Sequence, residues 1–373
     1  MNSRRTRKRG GARFYWMFAL LGVGLLSWIW WNSADSGKDR SVDGPFQSIR
    51  HRTRETNQPR APIVVVRNPS PIVSVLSSNP PIVAPEANSP STQTVFEVQL
   101  GLARQAISPG SLDGVLGFQT RAALRAFQAR ERLPVTGELD DLIQTRLSST
   151  SSHCTFWLIT SNDLARLRPL SPTWLGKSRQ ASLDYESILE LVAEKGHANP
   201  KFIRALNPDI NWTKVTAGTL VKIPNAEYPQ IGGKAAFVRI HLGEKTLQAF
   251  DENTNLLAHF PCSIASRVEK RLVGTLHVEK IAVNPNYRFD PEMFPESAEA
   301  SRLPRALMLP AGPNNPVGTA WISLDRPGYG IHGTPRPEEV GRTESHGCFR
   351  LANWNADYLV GLVWIRMPVF VQP

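Results

Sequence analysis

Residues 329–351 open with Tyr329-Gly330-Ile331-His332-Gly333-Thr334 and, ten residues later, close with Ser345-His346-Gly347-Cys348-Phe349-Arg350-Leu351. A short apolar run ends in a histidine, and a cysteine follows in a glycine-containing turn. A thiol becomes a nucleophile near neutral pH when a base or a cation stands beside it. His332 offers the base and Cys348 the sulfur. Gly347 lets the backbone approach a reacting carbonyl. Successive amides at His346, Gly347 and Cys348 can converge on an oxyanion, which acyl transfer requires. Arg350 suits a substrate carboxylate. Three other readings stay open on residue types alone. Cys348 can be a small buried hydrophobe. His332, His346 and Cys348 can be zinc ligands, although no fourth ligand stands at useful spacing. A thiol protease is the third, but papain-type enzymes place Cys before His, the reverse of this order.

Outward from this stretch, residues 235–373 read as β-rich. Ala236–Leu242, Thr246–Phe250, Leu256–Ile264, Gly274–Ile281 and Trp321–Leu324 carry alternating or apolar patterns with β-branched and aromatic residues. Asn284–Pro316 reads as a loop with one short helix near Glu296–Arg302. A helix is predicted over Asn353–Val363 and a closing strand over Pro368–Val371.

The His332 and Ser345–Leu351 motifs, with PAGPNNPVGTAWISL at residues 310–324, resemble the catalytic signature of the YkuD-type L,D-transpeptidase family over residues 236–371. The resemblance implies a mainly-β catalytic domain in which Cys348 is the nucleophile and His332 the general base. His346 and Gly347 fall at oxyanion-hole and loop-shaping positions. Arg350, Ser345 and Gly333 fall on the substrate-binding side. Two positions depart from the family pattern: Leu272-Val273-Gly274 stands where Thr-Pro commonly precedes the Gly, and Phe349 replaces a small aliphatic residue. The implied chemistry is ping-pong acyl transfer between peptidoglycan stem peptides, giving 3→3 cross-links, without metal or organic cofactor. Water as acceptor makes the same site a carboxypeptidase or amidase. A third alternative is an inactive wall-binding protein. Cys154 and Cys262 read as isolated thiols, with pairing to each other as the rival reading.

Upstream, residues 93–148 carry three apolar stripes, at Val95, Val98 and Leu102, at Ala123, Leu124 and Phe127, and at Leu139, Leu142, Ile143 and Leu147. Turns at Leu112-Asp113-Gly114 and Val135-Thr136-Gly137 separate them. Asp113, Gly114, Gly117, Thr120, Ala123, Leu124, Phe127, Gln128, Gly137, Leu139 and Asp140 resemble the pattern of the peptidoglycan-binding domain type 1, a small three-helix module. Most of these are turn formers and core positions, so they define a fold more than a binding surface. Residues 149–180 read as a connector with a strand at Thr155–Ile159. Residues 181–225 read as two helices and a strand. Asn207 and the Gly218, Val221, Ile223 and Pro224 ending are similar to a LysM repeat, an α+β glycan-binding fold, although the usual Tyr-x-Val opening is absent.

The chain of 373 residues has a formal charge of +11, which alone suggests nucleic acid. Its distribution argues otherwise. Residues 1–67 hold 13 Lys/Arg against 4 Asp/Glu, and residues 68–373 hold 30 against 28. No nucleic-acid partner is expected. Phe14–Trp31 is an uncharged run of 18 residues behind six basic ones. Such a run matches a transmembrane helix with its N-terminus cytoplasmic, anchoring an extracytoplasmic chain. A cleaved signal peptide is the rival, disfavoured by the bulky tryptophans at its end. Residues 33–92, with 9 prolines and 10 serines, read as a linker. The predicted organisation is thus multidomain: tail and transmembrane anchor (1–32), linker (33–92), helical module (93–148), connector (149–180), LysM-like module (181–225) and catalytic domain (235–373).

Overall fold

The computed structural model describes residues 90–294, 297–343 and 347–373. All of them fall within one compact unit, Pro81–Pro373. The expected N-terminal membrane helix is corrected here. Among the described residues no helix is long and apolar enough to cross a membrane, and Phe14–Trp31 itself lies outside them. The single-pass topology, the membrane contact and the extracytoplasmic localisation inferred from that helix are not supported by the described residues.

The described chain begins with three helices, α1 (Thr92–Ala103), α2 (Phe118–Arg130) and α3 (Asp141–Leu147). Ser91 and Asp140 cap α1 and α3 by accepting from the Thr94 and Ile143 amides. Val98, Leu102, Ala123, Leu124, Phe127, Ile143 and Leu147 close the core between them. Two glutamines hold the two glycine turns. Gln99 Oε1 accepts from the Asp113 and Gly114 amides at 3.1 and 2.9 Å. Gln128 Oε1 accepts from Thr136 and Gly137 at 3.0 and 2.8 Å. The motif of this segment is therefore satisfied internally, as buried polar groups require.

Next come β1 (Cys154–Leu158), α4 (Ser161–Arg166), α5 (Trp174–Ser178), α6 (Ile188–Lys195), α7 (Pro200–Leu206) and β2 (Leu220–Pro224). The two strands pair antiparallel, Cys154 opposite Pro224 and Leu158 opposite Leu220. Asn207 ties α7 to β2: its Nδ2 donates to the Ile203 and Lys222 carbonyls, and its Oδ1 accepts from the Lys222 amide.

The rest comprises β3 (Phe237–His241), β4 (Thr246–Phe250), β5 (Leu256–Pro261), β6 (Gly274–Val283), β7 (Tyr287–Phe289), β8 (Leu307–Leu309), β9 (Ala320–Leu324), β10 (Gly330–His332), β11 (Phe349–Arg350), α8 (Asn353–Leu362) and β12 (Pro368–Gln372). Eight strands form one sheet in the order β11-β10-β9-β6-β12-β3-β4-β5, and β7 pairs with β8 apart from it. β12 runs parallel to β3, and β10 parallel to β11. The expected mainly-β domain is corrected to a mixed α/β one. Helix α8 lies on the sheet, and its Ala356, Leu359 and Leu362 share the core with Val238, Ile240, Phe260, Val278, Ile322, Ile331 and Phe349. The segment after α1 joins this sheet directly. Ser108 N donates to His259 O at 2.8 Å and His259 N to Ala106 O at 2.9 Å, which extends the β5 edge. An edge strand left open is a template for unwanted pairing, and this contact covers it.

Candidate active site

Strand alternation brings the motif residues together. In the parallel pair, Ile331 lies opposite Phe349 and His332 opposite Arg350. Ile331 and Phe349 are buried in the core. The period of two then sends His332, Cys348 and Arg350 to the other face. The antiparallel neighbour places Trp321 beside His332. Its ring stacks on the imidazole, centroids 5.6 Å apart at 24°. A side chain at residue 330 would place its Cβ 2.7 Å from the Trp321 ring, so glycine there is what admits the stack.

His332 is 6% exposed. Its Nδ1 lies 2.6 Å from the Gly333 carbonyl. A carbonyl only accepts, so Nδ1 carries the proton and Nε2 keeps the lone pair. Burial depresses the imidazole pKa to about 4, against a smaller upward pull from the Gly333 hydrogen bond and with a further downward push from Arg350. Cys348 is half-buried, and its Sγ donates to Gly328 O at 3.5 Å. Burial pushes its thiol up to about 11, opposed by the Gly330 backbone and the Arg350 charge. The resting pair is therefore a neutral thiol and a neutral imidazole.

His332, Gly347, Cys348 and Arg350 line one cavity of about 540 Å³. Its walls include Tyr287, Phe294, Val317 and Trp321, and Lys270, Arg288 and Asp290 add charge. Apolar walls with a few convergent polar groups are the usual form of a small-ligand site. Gly333 is present as the acceptor for the imidazole. Ser345 and His346 lie outside the described residues. Cys154 and Cys262 are both free thiols, so they do not pair. Cys262 is fully buried, and burial pushes its thiol far up.

Two contributors were not singled out from the sequence. Trp321 was read as one strand residue among four, yet it faces away from Ile322 and the core; its place in an alternating strand was the available signal. Asn353 is fully buried behind the site. Its Nδ2 donates to Glu194 Oε2 at 3.1 Å and to Pro313 O at 3.2 Å, and its Oδ1 accepts from the Thr319 amide at 3.3 Å. Nothing local in the sequence links residue 353 to residue 194.

The fold and the cavity define a class: a thiol acyltransferase domain carrying an appended helical module. Residues 235–371 match the L,D-transpeptidase catalytic domain of the YkuD family, and residues 91–147 match a peptidoglycan-binding domain. By that match residues 235–371 form an L,D-transpeptidase domain of the YkuD type, whose family-level activity is on peptidoglycan. YkuD of Bacillus licheniformis is 27% identical over 185 residues, 50% of this chain and 93% of the relative. YbiS of Escherichia coli K12 is 29% identical over 154 residues, 41% of this chain and 49% of its own. ErfK/SrfK of the same strain is 32% identical over 138 residues, 36% and 44% respectively. All three carry L,D-transpeptidase in their names. The chain thus spans about half the length of the two E. coli relatives.

Proposed function

We propose that the enzyme joins neighbouring stem peptides by 3→3 cross-links through an acyl-enzyme on Cys348. The observation that carries this reading is the His332 imidazole, fixed by Gly333 in the Nδ1–H tautomer and sharing one cavity with the Cys348 thiol. As the sulfur attacks the carbonyl of the third stem residue, Nε2 takes the thiol proton. The tetrahedral adduct collapses, the bond to the terminal D-Ala breaks, and the departing amine takes that proton. The amine of a second stem then attacks the thioester. His332 accepts its proton and returns it to the sulfur, so Cys348 leaves as it began. Arg350 would hold a stem carboxylate, a role supported by its position opposite His332 across the strand pair. Gly347 lines the same cavity and, with His346 and Ser345, belongs to the loop assigned to the oxyanion.

Residues 91–147 are the part that would bind the wall polymer. A LysM-like module is proposed for the segment closed by β1 and β2. The antiparallel pairing of Cys154–Leu158 with Leu220–Pro224 around α6 and α7 supports it, and moves its start ahead of the residue 181 read from sequence. The test is muropeptide analysis of tetrapeptide-containing sacculi incubated with the full chain or with Cys348→Ala. New 3→3 dimers that need Cys348 are expected. Shortened stems without dimers would assign a carboxypeptidase instead, and no Cys348-dependent product would reject both.

A further inference from the structure

The helical segment reaches into the catalytic domain through one buried side chain. Gln119, in the first turn of α2, is 9% exposed. Its Nε2 donates to the Val340 carbonyl, eight residues ahead of Cys348. Two glycines in the left-handed region flank this amide. A Cβ on Gly110 (φ +88°) would lie 2.3 Å from Gln119 Oε1, and one on Gly341 (φ +72°) 3.0 Å from Gln119 Nε2. Both positions are strained for any other residue, so the backbone on each side is shaped around this amide. From Val340 the connection continues inward. The Gly341 amide donates to Ser263 Oγ at 2.8 Å. Ser263 is fully buried, and its backbone exchanges two hydrogen bonds with Arg350, at 2.9 and 3.0 Å. Arg350 pairs with His332 across the parallel strands. One unbroken set of bonds thus runs from α2 to the strand that follows Cys348.

We propose that Gln119 is a positioning residue for acyl transfer: through Val340, Gly341 and Ser263 it fixes the β11 backbone beside Cys348. The peptidoglycan-binding segment then takes part in the reaction as well as in wall attachment. Gln119 touches no reacting atom, and its action is on the geometry of the thiol. This role presupposes acyl transfer at Cys348, so the unmodified full chain is the reference throughout.

Gln119→Met keeps side-chain length and removes the amide. Gln128→Met is its control, since Gln128 holds the other glycine turn of the same segment and does not touch the Val340 arm. Acylation by a carbapenem is followed by intact mass over a range of concentrations, with thermal midpoints and amide hydrogen exchange measured alongside. For Q119M the maximal acylation rate falls about tenfold, the equivalent of one hydrogen bond lost at the transition state, with the half-saturating concentration unchanged. Exchange accelerates at Gly341 and Arg350. Q128M lowers the midpoint and leaves both the rate and that exchange unchanged. Acylation of Q119M at the unmodified rate overturns the role. So does an equal slowing in Q128M, which would make general stability the cause. No acylation of the unmodified chain would refute the transfer reading and this role with it.

Discussion

A desolvated thiol at about 11 makes half-buried Cys348 a poor spontaneous nucleophile, and that can be measured without any substrate. At pH 7 a group with that pKa is ionised in roughly one molecule in ten thousand. An ordinary cysteine, with a pKa of about 8.5, is ionised at roughly 3%. The thiolate ratio alone slows alkylation about 300-fold. A more basic thiolate is also more nucleophilic, and a Brønsted coefficient of about 0.45 over 2.5 units returns about a factor of ten. The net expectation is alkylation by iodoacetamide about 20- to 30-fold slower than that of a free cysteine. Cys262 is fully buried, whereas Cys154 is half-buried and competes, so the experiment belongs in a Cys154→Ser background with intact mass as readout. The rate should climb about tenfold per pH unit from 6 to 10 without a plateau, because burial disfavours the charged form until pH nears the thiol's own pKa. Acylation by a stem peptide should behave differently. There His332 removes the proton during attack, and its imidazole is neutral and competent at every pH above about 4. Acylation should stay flat from about pH 6 to 9 while alkylation climbs. Alkylation that levels off below pH 8, at or above the free-cysteine rate, would mean a resting thiolate–imidazolium pair. The neutral-pair reasoning would then be wrong.

His332→Asn should lower Cys348 acylation by about 10²- to 10⁴-fold while changing iodoacetamide alkylation only a few-fold, since only the first needs a base; equal losses in both, read by intact mass, would count against a base. Glu194 has its carboxyl raised by burial to about 7 from an ordinary 4.5, so it adds stability at low pH that is lost as pH rises through 7. Glu194→Gln should therefore gain on the unmodified chain between pH 5 and 8, by about 3 kcal/mol at most in urea unfolding; a difference that is constant with pH would refute this. Burial lowers His197 and His259 to about 3 and His332 to about 4. Each stays neutral in the folded chain while the unfolded chain takes up a proton below about 6.5, so the thermal midpoint should drop steadily between pH 6.5 and 4; a midpoint unchanged across that window would show that these groups titrate in place.

What could be read from the chain follows from the range of the interactions. His332 and Cys348 stood out because the chemistry is concentrated in short glycine-flanked words. The helices at Thr92, Phe118 and Asn353 were legible from apolar spacing. The two glycine turns of the helical module were placed correctly, but not the buried Gln99 and Gln128 that hold them, because the bonds span 14 and 15 residues for the first and 8 and 9 for the second. β7 and β8 fell inside a stretch read as loop. Three-residue strands among Pro and Asn carry too few alternations to register. β1 was placed within one residue, at Cys154–Leu158 against Thr155–Ile159. The strand at Leu220–Pro224 was also read, but not its pairing with β1 more than 60 residues away, since pairing is decided by tertiary packing. Asn353 and Gln119 were invisible for the same reason. Each meets its partner only after distant segments have docked.

Charge gives the last step. Residues 68–373 are nearly balanced, with 30 basic and 28 acidic residues, yet the cavity wall carries Lys270, Arg288 and Arg350 against Asp290. Asp290 is already engaged, its Oδ2 accepting from Arg288 Nη1 at 2.7 Å. Among the described lining residues no other carboxylate offsets Lys270 and Arg350, although Glu339, outside the lining, acts on Arg350. At 0.1 M salt exposed charges act over about 10 Å, so the carboxylates of the proposed stem-peptide substrate would respond to these lining cations. Arg350 lies opposite His332 across the parallel strands and lines the same cavity as Cys348, and its own backbone is held by Ser263. In the proposed mechanism its guanidinium would serve two ends, attracting the substrate's carboxylate and stabilising the negative charge that gathers on sulfur and oxygen during attack. The same charge adds to burial, the larger cause, in keeping His332 unprotonated, so in that mechanism Arg350 would aid both substrate attraction and base readiness.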